Sequence, residues 1–198
     1  AGIVAHAHGS YSTHGGDSEQ LVINCSFEGI IEGKDSNCEY VGGIIGHINA
    51  DSKFSVKNCT AGGRILNAKA TYAGGVCAYG NAAEIKNCIN RMDVTGGKDG
   101  GAAGGVVGYI YGVDNCFNYG SITNSAAKYI GGVAGYAKGT VQKCTNLADI
   151  AVTDSKTSHV GGVCGLTTGN ITFCGNLGGI DANGTTPSGD LFIGGIVG

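Results

Sequence analysis

Three closely spaced histidines near the start of the chain, His6, His8 and His14, are the residues best suited to chemistry. Imidazoles in such proximity are typical of a metal site or a catalytic pair. The alternative is an aromatic column whose members stack from strand to strand. When the repeats described below are aligned, that column runs through His6, His47, Tyr79, Tyr109, Tyr136 and Leu166. The sequence favours the column, and we predict no catalytic residue and no metal site.

A second aromatic column begins five of the six later repeats. Its members, which we take as candidate ligand-binding residues, are Tyr40, Tyr72, Tyr129, His159 and Phe192. If this column faces outward, it could serve as a platform for sugars or proteins, because large exposed apolar patches usually mark binding sites. Plain packing is the alternative.

The best arrangement for hydrolysis is a column of Arg64, Asp93, Ser121 and Asp149. Glycoside hydrolysis needs paired carboxylates on one face. The two aspartates would lie two strands apart, about 9.6 Å at the usual strand spacing. Neighbouring strands would instead pair Arg64 with Asp93, and elsewhere Lys86 with Asp114, which is ordinary sheet stabilisation. The sequence therefore contains no convincing catalytic set.

Nine cysteines occur, and six of them align in the repeats: Cys25, Cys59, Cys88, Cys116, Cys144 and Cys174. Stacked neighbours in such a column have parallel Cβ vectors, which do not suit disulfide geometry. Buried free cysteine behaves as a small apolar residue. We therefore predict an inward ladder of free thiols, with Cys77 and Cys164 also buried and Cys38 as the exposed thiol. The absence of C-x-x-C makes a metal site improbable.

Asparagines recur two residues after the later four cysteines, at Asn90, Asn118, Asn146 and Asn176. A side-chain amide can both donate and accept hydrogen bonds. We predict that these residues form an amide ladder along one corner of the fold.

The elements that position these residues repeat along the chain. The glycine pair of "YIGGVAGY" returns in further copies, whose second glycines are Gly2, Gly43, Gly75, Gly105, Gly132, Gly162 and Gly195. The intervals are 41, 32, 30, 27, 30 and 33 residues, and such periods indicate a solenoid, a propeller or an array. Between the glycine pairs, every residue three before and six after an aligned cysteine is β-branched, which favours strands.

Three short strands per repeat predict an all-β fold, a right-handed parallel β-helix (β-solenoid) of about six coils of 27–33 residues. A β-propeller is the rival, but it needs four strands per repeat. The glycine pairs would form a sharp corner, with positive φ and close backbone approach. They do not form a phosphate-binding loop, because no such motif occurs.

The stretches "YIGGVAGYAKGTVQKCTN" and "AGGVVGYIYGVDNCFNYGSITN" closely resemble the GLUG motif. The resemblance extends over essentially the whole chain, although Ile or Val replaces the Leu that the family favours. It implies a β-helical module of a bacterial surface or secreted protein, such as an adhesin-like protein or the non-catalytic region of some immunoglobulin A-cleaving proteases. It supplies no catalytic residue and no cofactor.

Composition agrees with a structural or binding module. The chain has 39 glycines, 14% charged residues and a net charge of −3, so nothing points to nucleic acid or to an anionic membrane surface. We expect a single domain over residues 1–198, part of a longer repeat array, with an extracellular or cell-surface location. The expected partners are host or neighbouring-cell glycans or proteins, and end-to-end self-association is a further expectation. A carbohydrate-binding or polysaccharide-degrading β-helix is the alternative function.

Overall fold

The structure is a computed structural model that describes residues 1–9, 20–33, 38–50, 54–97, 100–123, 126–152, 157–182 and 190–198. These ranges contain strands and no helix. Every pairing between the described strands is parallel, and the strands form three sheets. The protein is therefore an all-β solenoid, as the repeats predict.

The first sheet has ten strands. They are β1 (Val4–Gly9), β2 (Gln20–Ile23), β5 (Ile45–Ala50), β6 (Phe54–Lys57), β9 (Cys77–Lys86), β12 (Val107–Asp114), β16 (Ala134–Ala137), β17 (Val141–Gln142), β21 (Cys164–Thr167) and β22 (Ile171–Thr172).

The second sheet has nine strands. They are β3 (Ser26–Glu32), β7 (Thr60–Ala68), β10 (Ile89–Gly96), β13 (Phe117–Asn118), β14 (Ile122–Thr123), β18 (Thr145–Asn146), β19 (Ile150–Ala151), β23 (Gly175–Asn176) and β24 (Ile180–Asp181).

The third sheet has six strands. They are β4 (Tyr40–Gly42), β8 (Tyr72–Gly74), β11 (Ala102–Gly104), β15 (Tyr129–Gly131), β20 (His159–Gly161) and β25 (Phe192–Gly194). In each coil the chain runs from the third sheet across the glycine pair into the first sheet, and then into the second.

The solenoid has about five turns, fewer than the six predicted, because six stacked strands of the third sheet are separated by five steps. The repeat count included the corner at Gly2. The Gly2 amide does donate to the Gly43 carbonyl at 3.0 Å, but residues 1–3 form no strand of the third sheet, so that first coil is incomplete. The right-handed winding stays a prediction.

The glycine pairs form the corner between the third and first sheets; the close backbone approach predicted there is confirmed, whereas the predicted positive φ is wrong. No glycine of these pairs has a positive φ in the described chain. A Cβ at Gly43 would instead collide with the carbonyl oxygen of Gly75, and one at Gly75 with the amide of Asn90. The corner therefore requires glycine because successive coils approach too closely for any side chain.

The core fills the inside of the coils with β-branched residues and thiols. The column three residues before the cysteines, for example, includes Val56, Ile85, Val113 and Val141, all at most 1% exposed. The column six residues after them is equally buried at Ile65, Val94, Ile122 and Ile150. Each coil thus buries its apolar side chains against the coils above and below, which leaves the outward positions free to vary.

Candidate functional site

The two aromatic columns that the sequence separates lie side by side in the structure. Three coils place one ring just before the glycine pair and another seven residues later, and the tight corner folds the two rings against each other. We call the resulting surface the aromatic strip, and it consists of His6, Tyr40, His47, Tyr72, Tyr79, Tyr109, Tyr129, Tyr136, His159 and Phe192. Sequence reasoning missed this meeting, because spacing along the chain does not give the corner angle.

The rings of the aromatic strip contact one another in both directions. Across the corner, Tyr40 stacks on His47 with ring centroids 4.3 Å apart, and Tyr72 lies 4.9 Å from Tyr79. Along the solenoid, Tyr109 lies 4.8 Å from Tyr79 and 4.9 Å from Tyr136, with nearly parallel planes. Because neighbouring rings cover each other's faces, these tyrosines turn their edges toward solvent.

Burial and nearby charges shift the pKa values of several side chains in the aromatic strip. Burial raises the pKa of Tyr72 and Tyr79, and burial together with the Glu39 carboxylate raises the pKa of Tyr40. Burial, reinforced by His6, lowers the pKa of His47. The ammonium groups of Lys128 and Lys138 lie 5.4 Å from the Tyr129 ring and 5.6 Å from the Tyr109 ring.

The predicted ligand-binding residues all belong to the aromatic strip. Tyr40, Tyr72, Tyr129 and His159 are half-buried, and Phe192 is 52% exposed. Their role in binding stays a prediction. The column has no ring at Ala102, which is buried, so Tyr72 contacts Tyr109 of the next coil instead, at 5.6 Å.

Of the three histidines near the start of the chain, His6 belongs to the aromatic strip. The rings of His6 and His47 lie 4.7 Å apart, whereas His14 and the side chain of His8 lie outside the described part of the chain. Among the described residues, no group of three His, Cys, Asp or Glu side chains could hold a metal ion.

The carboxylates considered for hydrolysis bond to the neighbouring coil. Asp93 lies level with Arg64, and its Oδ1 accepts hydrogen bonds from the amide and the hydroxyl of Ser121, both at 2.9 Å. Asp149 accepts a hydrogen bond from the Gly179 amide at 2.7 Å. The contacts of Asp93 and Asp149 connect adjacent coils and do not bring these two carboxylates together.

Lys86 pairs in register with Asp114, as predicted, and forms an ion pair with Glu84 at 2.5 Å.

All nine cysteines are free thiols. In the aligned column, Cys59, Cys88, Cys116 and Cys144 are buried, whereas Cys25 and Cys174 at its two ends are half-buried. The Cys116 thiol accepts a hydrogen bond from the Cys88 amide at 3.4 Å and donates to the Asp114 carbonyl at 3.3 Å.

The other three thiols lie outside this column. Burial raises the pKa of Cys77 and of Cys164 to about 12. Cys38 differs from its prediction, since it is half-buried and packs against the apolar cluster that contains Val41. The spacing could not show this contact, because it depends on how the segment before β4 folds over the core.

The four later asparagines form a buried amide ladder. Asn90 donates to Asn118 at 2.8 Å, Asn118 to Asn146 at 2.7 Å, and Asn146 to Asn176 at 2.8 Å. Each amide also donates to the backbone carbonyl two residues later in its own coil, such as Asn118 to Gly120 at 2.8 Å. The ladder thus satisfies backbone groups at a corner from which water is excluded.

The structure also contains a second, exposed amide ladder, which was not predicted from the sequence. Asn58 donates to Asn24, Asn87 to Asn58 and Asn115 to Asn87, at 2.9–3.2 Å. All four asparagines have φ between 51° and 56°, a left-handed conformation that asparagine tolerates better than most residues. The dipeptide Asn-Cys occurs in four of the six cysteine phrases, and this recurrence is the sequence signal that could have indicated the exposed ladder.

Comparison with protein families matches residues 37–66 to the GLUG motif. No curated protein and no solved structure matches the chain. In the described chain, no helix has the length and apolar character needed to cross a membrane. The matched segment includes β4, β5, β6 and most of β7, and these strands pair in register with β8, β9 and β10 of the next coil. Residues 37–66 therefore match the GLUG motif, and they form part of a β-solenoid whose neighbouring coils repeat the same strands.

Proposed function

We propose that this chain is a non-catalytic repeat module of a bacterial cell-surface or secreted protein, serving as a rigid spacer that also presents a binding surface. The observation that carries the proposal is the aromatic strip, a continuous and partly exposed row of rings that extends over every coil. A surface of this kind is more than the core needs, since the coils are already filled by β-branched residues and thiols. Its partner is a glycan or a protein on a host or neighbouring cell.

The spacer role is supported by the way that the coils are joined. Three sheets, two amide ladders and the thiol column connect each coil to the next. Side chains at equivalent positions stack directly, so bending the rod would break many contacts at once. Such a rod holds whatever its ends carry at a fixed distance.

The binding role follows from the orientation of the rings. Because the stacked tyrosines cover each other's faces, a sugar ring cannot lie flat on each of them. What they offer instead is a row of ring edges, where the phenol hydroxyls both donate and accept hydrogen bonds. We therefore expect the partner to bind through hydrogen bonds to these hydroxyls.

The test separates the hydroxyls from the rings. In the triple variant Tyr72→Phe, Tyr79→Phe and Tyr109→Phe, stacking is kept while three hydroxyls are removed. Binding of the intact chain and the variant is compared on a glycan array and on immobilised cell-surface proteins. The matched control is the variant Tyr119→Phe, which changes an exposed tyrosine outside the strip.

We expect the triple variant to bind at least about tenfold more weakly, since each lost hydrogen bond contributes about 1 kcal/mol, and the control to bind as the intact chain does. Equal weakening of both would place the binding surface elsewhere. Absence of binding by the intact chain to every glycan and protein would contradict the adhesive role.

The alternative, a polysaccharide-degrading β-helix, has less support. Asp93 and Asp149 each bond to the backbone of the neighbouring coil. These hydrogen bonds do not bring Asp93 and Asp149 together across a cleft.

A further inference from the structure

The outer face of the first sheet contains a pocket of about 160 Å³, away from the aromatic strip. We call it the sheet pocket, and its principal residues are Glu84, Tyr111, Gly112, Asp114, Thr140 and Gln142. The pocket lies beside an irregularity in the pairing of β9 with β12. At this point three residues of β9 lie opposite the single residue Tyr111 of β12. Such irregularities re-aim side chains and often occur next to functional sites.

A glycine opens the sheet pocket. Gly112 lies level with Glu84 on one side, and the register of Val113 with Val141 places Thr140 on the other side. A Cβ at Gly112 would meet the Thr140 carbonyl oxygen at 3.4 Å and Glu84 Cγ at 3.8 Å, which are ordinary contacts. A side chain would therefore fit at this position, and its absence leaves a gap in an otherwise filled column.

The groups around the gap suit a neutral ligand rich in hydroxyls. Glu84 is neutralised by its ion pair with Lys86. Asp114 has an Oδ1 that is buried without a hydrogen-bond partner, so its carboxylate has acceptor capacity to spare. Thr140 and Gln142 add a hydroxyl and an amide, and the Tyr111 side chain is 50% exposed at the rim.

Other ligand classes fit less well. A phosphate or carboxylate ligand would be repelled by Asp114 and would find the one lysine of the pocket already paired with Glu84. The described residues include no cluster of three side chains able to hold a metal ion. The volume is below the roughly 300–1,000 Å³ typical of sites for drug-sized ligands, so the pocket suits a single ring.

We propose that the sheet pocket binds one sugar ring, whose hydroxyls bond to Asp114, Thr140 and Gln142 while one edge of the ring rests against Tyr111. This site shares no residue with the aromatic strip. A ligand of this size held by one pocket binds weakly, with a dissociation constant on the order of 1 mM.

The experiment is an NMR titration of the ¹⁵N-labelled chain with free D-galactose, D-mannose and N-acetyl-D-glucosamine. We expect at least one sugar to give saturable shifts of the amides of Gly112, Asp114 and Thr140. In Gly112→Val the gap is filled by a residue that strands favour, and the shifts should disappear. The control Asn170→Val changes an exposed position of the same column, two coils from Gly112 and outside the pocket, and should leave them unchanged.

A second variant keeps the test valid if Gly112→Val does not fold. Asp114→Ala removes the carboxylate with the unpartnered oxygen, and we expect it to weaken sugar binding at least about tenfold while the chain stays folded. The proposal is overturned if no sugar gives saturable shifts, or if both pocket variants bind as the intact chain does. Saturable shifts confined to the aromatic strip would also overturn it, while supporting the proposed function.

Discussion

At the scale of single residues, the position before each aligned cysteine is the most constrained in the backbone. All six residues there have φ between 51° and 56°, and four of them are asparagine. The exceptions are Lys143 and Phe173, for which a left-handed conformation is costly. The exposed amide ladder accordingly stops at Asn115, whose carbonyl oxygen faces the next coil.

Changing Lys143 to Asn should therefore stabilise the protein by about 1 kcal/mol. The new residue tolerates the left-handed backbone, and its amide can donate to Asn115 as Asn115 does to Asn87. The free energy of unfolding in urea is the measurement. Lys143→Ala is the control, because it keeps the strain and adds no amide; a gain of the same size in that variant would show that neither reason applies.

His47 should make stability depend on pH in the acidic range. Burial and the neighbouring His6 lower its pKa below the usual 6.5, so the folded state binds a proton less readily than the unfolded chain. His47 therefore contributes stability to the folded state above about pH 6.5, and this contribution is lost as the pH falls through the lowered pKa of His47. His47→Tyr, which extends the tyrosine column, should flatten this part of the profile. An unchanged slope of unfolding free energy between pH 7 and 5 would contradict the assignment.

At the scale of elements, the inward and outward positions of β12 can be tested side by side. Val113 is buried between Ile85 and Val141, so Val113→Asp would bury an unpaired carboxylate at a cost of several kcal/mol. Asp114→Asn, at the adjacent outward position, should change the free energy of unfolding by about 0.5 kcal/mol or less. Equal losses measured in urea would mean that the strand does not alternate as described.

The thiol columns give a second test at this scale. Native protein should react with an alkylating reagent only at Cys25, Cys38 and Cys174, which are half-buried, and denatured protein at all nine cysteines. The thiolate is the reactive form, and a pKa of about 12 leaves Cys77 and Cys164 protonated near neutral pH. Mass spectrometry of the labelled peptides distinguishes the sites. Labelling of Cys88 or Cys116 before unfolding would show that the column is open.

The elements were predictable to the extent that they repeat. Aligned Val and Ile columns predicted the buried faces, since every coil must fill the same interior, and the glycine pairs predicted a corner. Close backbone approach at those glycines was predicted as well, but the atoms involved were not, because the clash between the coils of Gly43 and Gly75 appears only once the coils are stacked. The meeting of Tyr40 with His47 and the burial of Cys38 likewise depend on the angle between sheets, which no spacing along the chain expresses.

At the scale of the whole molecule, a solenoid is stabilised mainly by contacts between adjacent coils, so a break in the middle should matter more than one at the end. Asn118 is fully buried; its amide donates to Gly120 and Asn146 and accepts from Asn90. Asn118→Ala would leave several of these groups buried without partners, at about 1–3 kcal/mol each.

Asn176 provides the matched comparison, because it accepts from Asn146 and donates only to Gly178 of its own coil. Asn176→Ala should cost about 1 kcal/mol and leave hydrogen exchange in the central coils unchanged. Asn118→Ala should instead cost about 3 kcal/mol or more and speed amide exchange in the coils on both sides of the break. Equal losses of unfolding free energy in the two variants would mean that the ladder does not couple the coils and that each coil is stabilised by its own contacts alone.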